Sequence, residues 1–343
     1  MAWIIAIELL CNYIAQHMKI LVTGSAGHLG EALVRTLREA GRQVIGLDVK
    51  ESRFTTVVGS VDDRAVVRQC MAGVDTVYHA ATLHKPHVAT HSKQAFIDTN
   101  VSGTLALLET ACANEVSAFI FTSTTSVFGD ALRPPVGQPA AWLTEEVEPI
   151  PKNIYGVTKT AAEDLCQLFH RKHGLKSIIL RTSRFFPEED DDKLKRDKYS
   201  DDNAKANEFL FRRVELEDAV NAHLAAAERA PALGFGKYII SATTPFRTAD
   251  LEGLNRDAPA VVQRLFPRYA DVYRAKGWAM FEKIDRVYVN EAARSDLGWQ
   301  PKYDFDYVLS CLESGEYPRS RIARLVGSKG YHEQTFTDGP YPV

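Results

Sequence analysis

The sequence predicts an α/β protein with a doubly wound parallel sheet of about seven strands. Short β-branched runs alternate with helical patterns through the first half of the chain, and a glycine-rich turn follows the first of these runs. The 343 residues are 45% hydrophobic and 25% charged, which is typical of a soluble globular protein. Alternating runs of this kind form βαβ units, in which helices cover both faces of the sheet.

The individual elements follow from the periodicity of the apolar residues. Strands are predicted at 19–23, 43–48, 54–58, 75–79, 117–122, 176–181 and 236–241. Helices are predicted at 28–40, 63–72, 94–114, 153–173 and 216–230. This order is that of a Rossmann sheet.

The breaks in this rhythm suggest how the chain is divided. We expect a dinucleotide-binding domain, a smaller mixed α/β substrate-binding region and a C-terminal tail. The dinucleotide-binding domain comprises residues 18–183 plus 214–243. The substrate-binding region comprises residues 184–213 plus 244–325, and the tail comprises residues 326–343.

Two segments interrupt the alternation. Residues 129–152 contain five prolines and are predicted to be a loop over the sheet. Residues 188–205 are a dense run of mixed charges, so they form either an exposed mobile loop or a lid over the substrate.

The first 17 residues are largely apolar, but they lack the basic start and the small-residue cleavage site of a signal peptide. They are also shorter than the ~20 residues that span a bilayer. We predict that they are an upstream extension and that the natural chain starts at Met18. An amphipathic helix packed on the body is the alternative.

Charge and cysteine content restrict the partners and the compartment. A net charge of -3 gives no electrostatic reason to expect nucleic acid or a membrane as partner. The five cysteines are scattered, which predicts reduced thiols in a cytoplasmic protein, without disulfides or a metal site. They are Cys11, Cys70, Cys112, Cys166 and Cys311.

A glycine-rich turn joins the first strand to the first helix. Gly24 permits the tight turn, Gly27 lets a pyrophosphate approach the backbone, and Gly30 lets helix and strand pack closely. The amides at the helix start, from His28 and Leu29 onward, then face the anion.

Asp48 ends the second strand, where a carboxylate binds the ribose 2′-hydroxyl and repels a 2′-phosphate. The sequence therefore favours NAD over NADP, although Lys50 and Arg53 lie nearby.

Tyr155 and Lys159 lie one helical turn apart on the same face. An ammonium beside a phenol favours the phenolate, so we expect Lys159 to lower the pKa of Tyr155. Tyr155 is then a candidate general acid and base, and Lys159 could also hold the ribose hydroxyls.

These residues, together with further motifs, resemble the extended short-chain dehydrogenase/reductases, also called the NAD-dependent epimerase/dehydratase family. The resemblance covers Lys19 to about Tyr303. It includes the glycine turn, the Tyr155/Lys159 pair and four further motifs: Val77–Ala81, Asn100–Thr104, the Ser/Thr run before Val127-Phe128-Gly129, and Leu297–Pro301.

The resemblance implies roles for particular positions. Thr124 would hydrogen-bond the substrate oxygen with which Tyr155 exchanges a proton. Ala80 and Ala81 would line the adenosine side, and Asn100 would support cofactor binding from the next helix. A homodimer through helices near 98–114 and 153–173 is implied as well.

Departures from the family pattern are informative. Ser60-Val61 stands where an Asp-apolar pair usually meets adenine, and Arg184 stands where an asparagine often meets a nucleotide sugar. Phe211 falls at the position of a diphosphate-binding arginine, although Arg212 and Arg213 are adjacent, and these departures argue against a UDP- or GDP-sugar substrate. Thr125 follows Thr124 where dehydratases usually carry an acid, which argues against dehydration.

Other polar side chains suggest substrate contacts. His84, with His87 and His91, forms a loop after the fourth strand that we expect to face the substrate. Arg184, Thr125 and His84 are candidate substrate-binding residues. The group of Arg184, Arg212, Arg213 and Arg286 forms either an anion site or ordinary ion pairs.

The sequence therefore predicts an NAD-dependent epimerase or dehydrogenase that acts on a sugar, a nucleotide sugar or a similar hydroxyl compound, with Tyr155 as general acid and base. A regulator that senses NAD without catalysis is the alternative.

Overall fold

The computed structural model describes residues 18–330 and Phe336. The extension predicted over residues 1–17 lies outside the described residues. Most of the tail predicted over 326–343 does too, although a short helix ends at Val326.

A parallel sheet of seven strands forms the centre of the protein, in the order β3-β2-β1-β4-β5-β7-β8. The predicted doubly wound sheet is thereby confirmed. Its strands are β1 (Lys19–Thr23), β2 (Gln43–Asp48), β3 (Val57–Val58), β4 (Thr76–His79), β5 (Ala118–Thr124), β7 (Ser177–Thr182) and β8 (Phe235–Ile240).

Helices follow most strands. They are α1 (His28–Glu39), α2 (Arg64–Met71), α3 (Lys93–Phe96), α4 (Gly103–Ala113), α5 (Ile154–His173), α6 (Lys193–Lys198), α7 (Asp201–Glu208), α8 (Leu216–Leu233), α9 (Leu251–Leu265), α10 (Tyr269–Lys276), α11 (Glu291–Leu297), α12 (Phe305–Ser314) and α13 (Arg321–Val326). One π-helical turn, Ile97–Ser102, joins α3 to α4.

Alternate residues of the buried strands supply two separate cores. On β1, Ile20 and Val22 pack with α1 and α8, whereas Leu21 packs with α2, α4 and α5 on the other face. This alternation follows from the pleat of a strand, whose successive side chains point to opposite faces. Because both faces are covered, the central strands are mostly apolar.

A third core lies outside the sheet. It joins residues from α7, α9, α10 and α12, such as Ala206, Val262, Tyr273 and Phe305. Beside it, β6 (Ala141–Leu143) pairs in parallel with β9 (Arg286–Tyr288) to form a second, two-stranded sheet.

Three predicted elements need correction. The segment 129–152 is not only a loop, because it contains β6 and a 3₁₀ turn at Asp130–Leu132. The third strand is limited to Val57–Val58, since the residues before it form a turn around Ser52.

The charged run 188–205 is largely helical rather than a loop. Asp192 and Ser200 cap α6 and α7 by accepting hydrogen bonds from the first amides of each helix.

Free thiols are found at Cys70, Cys112, Cys166 and Cys311, and Cys11 lies outside the described residues. In the part of the chain that the structure describes, no helix is both long and apolar enough to cross a membrane.

Candidate active site

A cavity of about 1010 Å³ lies at the carboxyl ends of the parallel strands. It extends from the turn after β1 past the ends of β4 and β5 to the segment that follows β7. The strand order reverses between β1 and β4, and doubly wound sheets bind ligands at such a point. The topology therefore brings residues from distant parts of the sequence to one site.

The glycine turn forms one wall of this cavity. Gly24 has a φ of +73°, and a Cβ there would lie 2.7 Å from the amide nitrogen of Ala81. A Cβ on Gly30 would lie 1.9 Å from the carbonyl oxygen of Gly24. Gly27 lines the cavity, and a Cβ there would meet protein only at that same oxygen, at 3.3 Å. The three glycines thus have the separate roles of turn, close packing and open approach.

Asp48 lies at the cavity wall beside this turn. Its carboxylate accepts hydrogen bonds from the amides of Ala26 and Lys50, both at 2.9 Å. The carboxylate is therefore fixed against the glycine turn. Four further predicted cofactor residues also line the cavity: Ser60, Val61, Ala80 and Ala81.

Asn100 is buried behind the cavity wall rather than in it. Its Nδ2 donates to the carbonyl of Leu83 and to Thr158 Oγ1, and its Oδ1 accepts from the amide of Leu83 at 2.9 Å. Asn100 therefore fixes the loop after β4 to helix α5.

His28 and Leu29 begin helix α1 and line the cavity. Leu29 is part of the core, whereas His28 Nε2 lies 3.0 Å from Oε1 of Glu188. Burial raises the pKa of Glu188, but the bonds from His28 and from Ser328 outweigh it and bring the pKa to about 2. The pair connects the glycine turn to the segment after β7.

Tyr155 and Thr124 line the same cavity, with Thr125 beside them. Tyr155 lies in the first turn of α5, where Asn153 caps the helix by accepting from the amide of Gly156 at 3.0 Å. Burial raises the pKa of Tyr155 to about 12, while a side-chain hydrogen bond with Thr124 acts to lower it. The predicted lowering of this pKa is therefore wrong, because the cost of burying a phenolate dominates.

Lys159 lies one turn farther along α5 and does not reach the cavity surface. Its Nζ donates to the carbonyl of Thr122 at 2.6 Å and lies 4.1 Å from the ring centre of Phe121. Burial lowers the pKa of Lys159 to about 7, although Glu163 acts in the opposite direction. In this position the ammonium holds helix α5 against the end of β5.

Sequence reasoning missed Glu163, one further turn along the same helix face. It accepts a 2.5 Å hydrogen bond from Ser123, the neighbour of Thr124, and pairs with Arg181. The spacing of four residues from Lys159 was a signal that could have indicated it.

The predicted histidine loop does face the cavity. The ring of His84 lies 6.4 Å from that of Tyr155 and 5.5 Å from that of Phe186. Burial, followed by the neighbouring His87, lowers the pKa of His84 well below its usual value. Its imidazole is therefore neutral at physiological pH.

The predicted arginines fall into two groups. Arg184, Arg212 and Arg286 line the cavity, whereas Arg213 lines a separate cavity of about 220 Å³. Arg286 holds the carboxylate of Asp285 with two nitrogens, at 2.8 and 3.0 Å. Phe211 is buried in the third core.

Two C-terminal residues also line the cavity, and nothing in the sequence indicated them. They are Lys329 and Gly330, whose amides donate to Glu188 at 3.0 and 3.2 Å. The Lys329 ammonium also pairs with Glu31 of α1. This segment crosses the glycine-turn end of the cavity.

Comparison with known proteins gives evidence on the family that does not depend on the site geometry. A family model described as the NAD dependent epimerase/dehydratase family matches residues 20–233, which is more than half of the chain.

Two curated relatives show the range of activities among similar proteins. A dTDP-glucose 4,6-dehydratase of Streptomyces niveus is 33% identical over 201 residues, which is 52% of this chain and 57% of the relative. A UDP-glucose 4-epimerase of Halalkalibacterium halodurans is 31% identical over 174 residues, which is 48% of this chain and 50% of the relative. The chain thus spans about half the length of these relatives.

Among solved structures, a short-chain dehydrogenase/reductase superfamily protein of Agrobacterium tumefaciens with bound NAD has a similar fold. The TM-score is 0.61 at 24% identity, over 90% of this chain and 99% of that one.

Proposed function

Because this chain belongs to the NAD-dependent epimerase/dehydratase family, we propose that it binds NAD in the cavity and catalyses hydride transfer at a carbinol carbon of a sugar-like compound. The observation that carries this proposal is the shared cavity. Thr124 and Tyr155 line the same space as the glycine turn and Asp48.

The residues at the glycine-turn end suit a dinucleotide. Gly27 is the N-cap of helix α1 and offers no side-chain cap, so the first amides of the helix remain available to a pyrophosphate. Asp48 would receive the ribose 2′-hydroxyl, and its charge opposes the 2′-phosphate of NADP. Ser60, Val61, Ala80 and Ala81 would form the adenosine side.

The chemistry requires a proton donor and acceptor at the substrate hydroxyl. With a pKa near 12, Tyr155 is protonated at neutral pH and would act as the acid in the reducing direction. Thr124 would donate a hydrogen bond to the same substrate oxygen, and Lys159 would hold α5 in place. When bound, oxidised NAD supplies the hydride acceptor and a positive charge that favours the phenolate of Tyr155.

The reaction that this site supports is oxidation or epimerisation rather than dehydration. Elimination of water needs a further acid and base next to the reacting carbon. The residues after Thr124 are Thr125 and Ser126, which carry hydroxyl groups instead. The substrate would be a sugar or a similar polyol, because related proteins are named for nucleotide sugars. Phe211 stands where nucleotide-sugar enzymes of the family place a diphosphate-binding arginine, which weakens the case for a nucleotide sugar as the substrate.

A substrate screen with purified protein and NAD tests the proposal. Accumulation of NADH with one compound would indicate a dehydrogenase, and inverted product without NADH would indicate an epimerase. In either case Tyr155→Phe should reduce kcat by about 10²–10⁴-fold. Tyr307→Phe, on the exposed face of α12, is the matched control and should leave kcat unchanged. NAD binding with no turnover of any substrate would contradict catalysis.

A further inference from the structure

Two residues that line the cavity each carry a buried polar atom without a hydrogen-bond partner. In residues 18–330, three buried side-chain nitrogen or oxygen atoms lack a hydrogen-bond partner: Ser177 Oγ, Ser183 Oγ and Arg212 Nε. Ser183 and Arg212 both line the cavity, whereas Ser177 does not. Buried polar groups nearly always have a hydrogen-bond partner, so two exceptions at one cavity make this place a candidate for binding a polar group.

The backbone places these two residues side by side. Arg184 and Arg213 form a parallel β-bridge that continues β7 beyond Thr182. The amide of Arg184, directly after Ser183, donates to the carbonyl of Arg212 at 3.3 Å. Ser183 in turn donates its own amide to Ile240 on β8 at 2.9 Å. Both residues are therefore held on rigid backbone.

The charges around this bridge favour an anion. Lys85, Arg184, Arg212 and Arg213 share three carboxylates through direct ion pairs. The carboxylates are those of Asp190, Asp191 and Glu208. Arg212 contacts Asp190 and Glu208 through the same nitrogen, Nη2, so these pairs do not engage Nε. These pairs join four cationic side chains to three carboxylates.

We propose that Ser183 and Arg212 form a binding site for one anionic group of the substrate, either a carboxylate or a phosphate. This inference rests on the proposed function, in which the cavity takes the substrate. The Arg212 guanidinium donates to the anion from Nε, while its Nη2 stays on Asp190 and Glu208. The Ser183 hydroxyl adds a second donor after rotation about its Cα–Cβ bond. The site selects a sugar that carries a negative charge over a neutral sugar.

Anion-dependent thermal stability tests the site without knowledge of the substrate. The probes are inorganic phosphate and sodium acetate, with sodium chloride at the same ionic strength as reference. The melting temperature is measured with saturating NAD, so that phosphate does not bind at the glycine turn instead, and again without NAD. We expect phosphate or acetate to raise the melting temperature of the wild type above the chloride reference.

Two variants of the site and one matched control decide the assignment. Ser183→Ala removes a hydroxyl that makes no bond in the structure, so the protein should stay folded while its half-saturating anion concentration rises about tenfold. Arg212→Lys keeps a positive charge toward Asp190 and Glu208 but loses the Nε donor, and should act in the same direction. Ser177→Ala removes the other unpartnered hydroxyl, at the far end of β7, and should respond as the wild type does.

The outcomes are distinct. A response to acetate assigns a carboxylate, and a response to phosphate alone assigns a phosphate. No response above chloride in the wild type, or equal responses of Ser183→Ala and Ser177→Ala, overturns the proposal. Failure of NAD binding or of Tyr155-dependent turnover would instead contradict the proposed function, because the anion response needs neither.

Discussion

Glu163 and Arg181 form an ion pair in the interior of the protein, with 2.8 Å between Oε2 and Nη2 and side-chain exposures of 0% and 2%. The pair joins helix α5 to strand β7 and lies directly behind Ser123, the residue before Thr124. It thus supports the part of the cavity wall that carries Tyr155 and Thr124.

Replacement of Glu163 by glutamine should destabilise the protein strongly. Glutamine can still accept from Ser123, but it leaves the buried Arg181 guanidinium without the carboxylate that pairs with it. Breaking a buried pair in this way costs about 3–5 kcal/mol, measurable by urea unfolding. Arg256→Gln, which breaks an exposed pair with Glu252, should cost less than about 1 kcal/mol. Equal losses in the two variants would contradict a supporting role for the buried pair.

Alanine at two positions of the glycine turn should separate cofactor binding from folding. Gly27→Ala fits the backbone, whose φ is −76°, but its methyl group would occupy the approach to the turn. We expect a change in unfolding free energy below about 1 kcal/mol and a loss of NAD affinity of about tenfold or more, measured by titration.

Gly30→Ala should impair both properties, because its Cβ would overlap the carbonyl oxygen of Gly24. If Gly27→Ala bound NAD as the wild type does, the turn would not be the pyrophosphate site.

Asp48→Asn should shift the preference between cofactors. The amide oxygen can still accept from the backbone of Ala26, so the glycine turn keeps this contact, while the bond from the Lys50 amide is lost. The loss of negative charge removes the repulsion of a 2′-phosphate, and the ratio of NADP to NAD affinity should rise about tenfold. Asp62→Asn, a nearby exposed substitution outside the cavity, serves as control. An unchanged ratio would show that Asp48 does not face the ribose.

Binding of an anion at the Ser183 and Arg212 site should weaken as the pH rises through about 8. Burial, followed by the neighbouring Arg184, lowers the pKa of Lys85 to about 8. Lysine is charged below its pKa, so the cavity loses a positive charge between pH 7 and pH 9. Other charged groups that act on Lys85 are Asp190, Asp191, Lys152 and Arg212.

The measurement is the phosphate- or acetate-induced change in melting temperature at several pH values. Lys85→Gln should flatten this dependence near pH 8. If it kept the wild-type profile, the titrating group would have to be another one, such as Lys195, whose pKa is also lowered to about 8.

Much of the fold and of the glycine turn could be predicted from the sequence, because both depend on short-range patterns. Gly24, Gly27 and Gly30 lie between one strand and one helix, and Tyr155 starts a helix. The spacing of these residues along the chain is enough to predict that they lie on a turn and in the first turn of a helix. The pKa of Tyr155 could not be predicted in this way, because burial by distant segments determines its sign.

The substrate end was harder to predict because its residues meet only in the folded chain. Phe211, Arg212 and Arg213 are consecutive in the sequence. The β-bridge between Arg184 and Arg213 fixes the backbone here, so that Arg212 lines the main cavity and Arg213 lines the smaller one. Lys329 lies far along the chain from the turn that it crosses. The helices within 188–205 did carry a local signal, since Asp192 and Ser200 are good capping residues. The many charged residues of this segment obscured the capping signal.

The pairing of β6 with β9 has a consequence for the order of folding. Trp142 pairs with Val287 across a stretch of chain that includes β7 and β8 of the main sheet. Closing so long a loop is costly in entropy before any contact compensates for it, and non-local pairings of this kind form slowly. We therefore expect the main sheet to be formed before Arg286 is brought to the cavity. During refolding, the capacity to bind a dinucleotide should return earlier than the capacity to recognise a substrate.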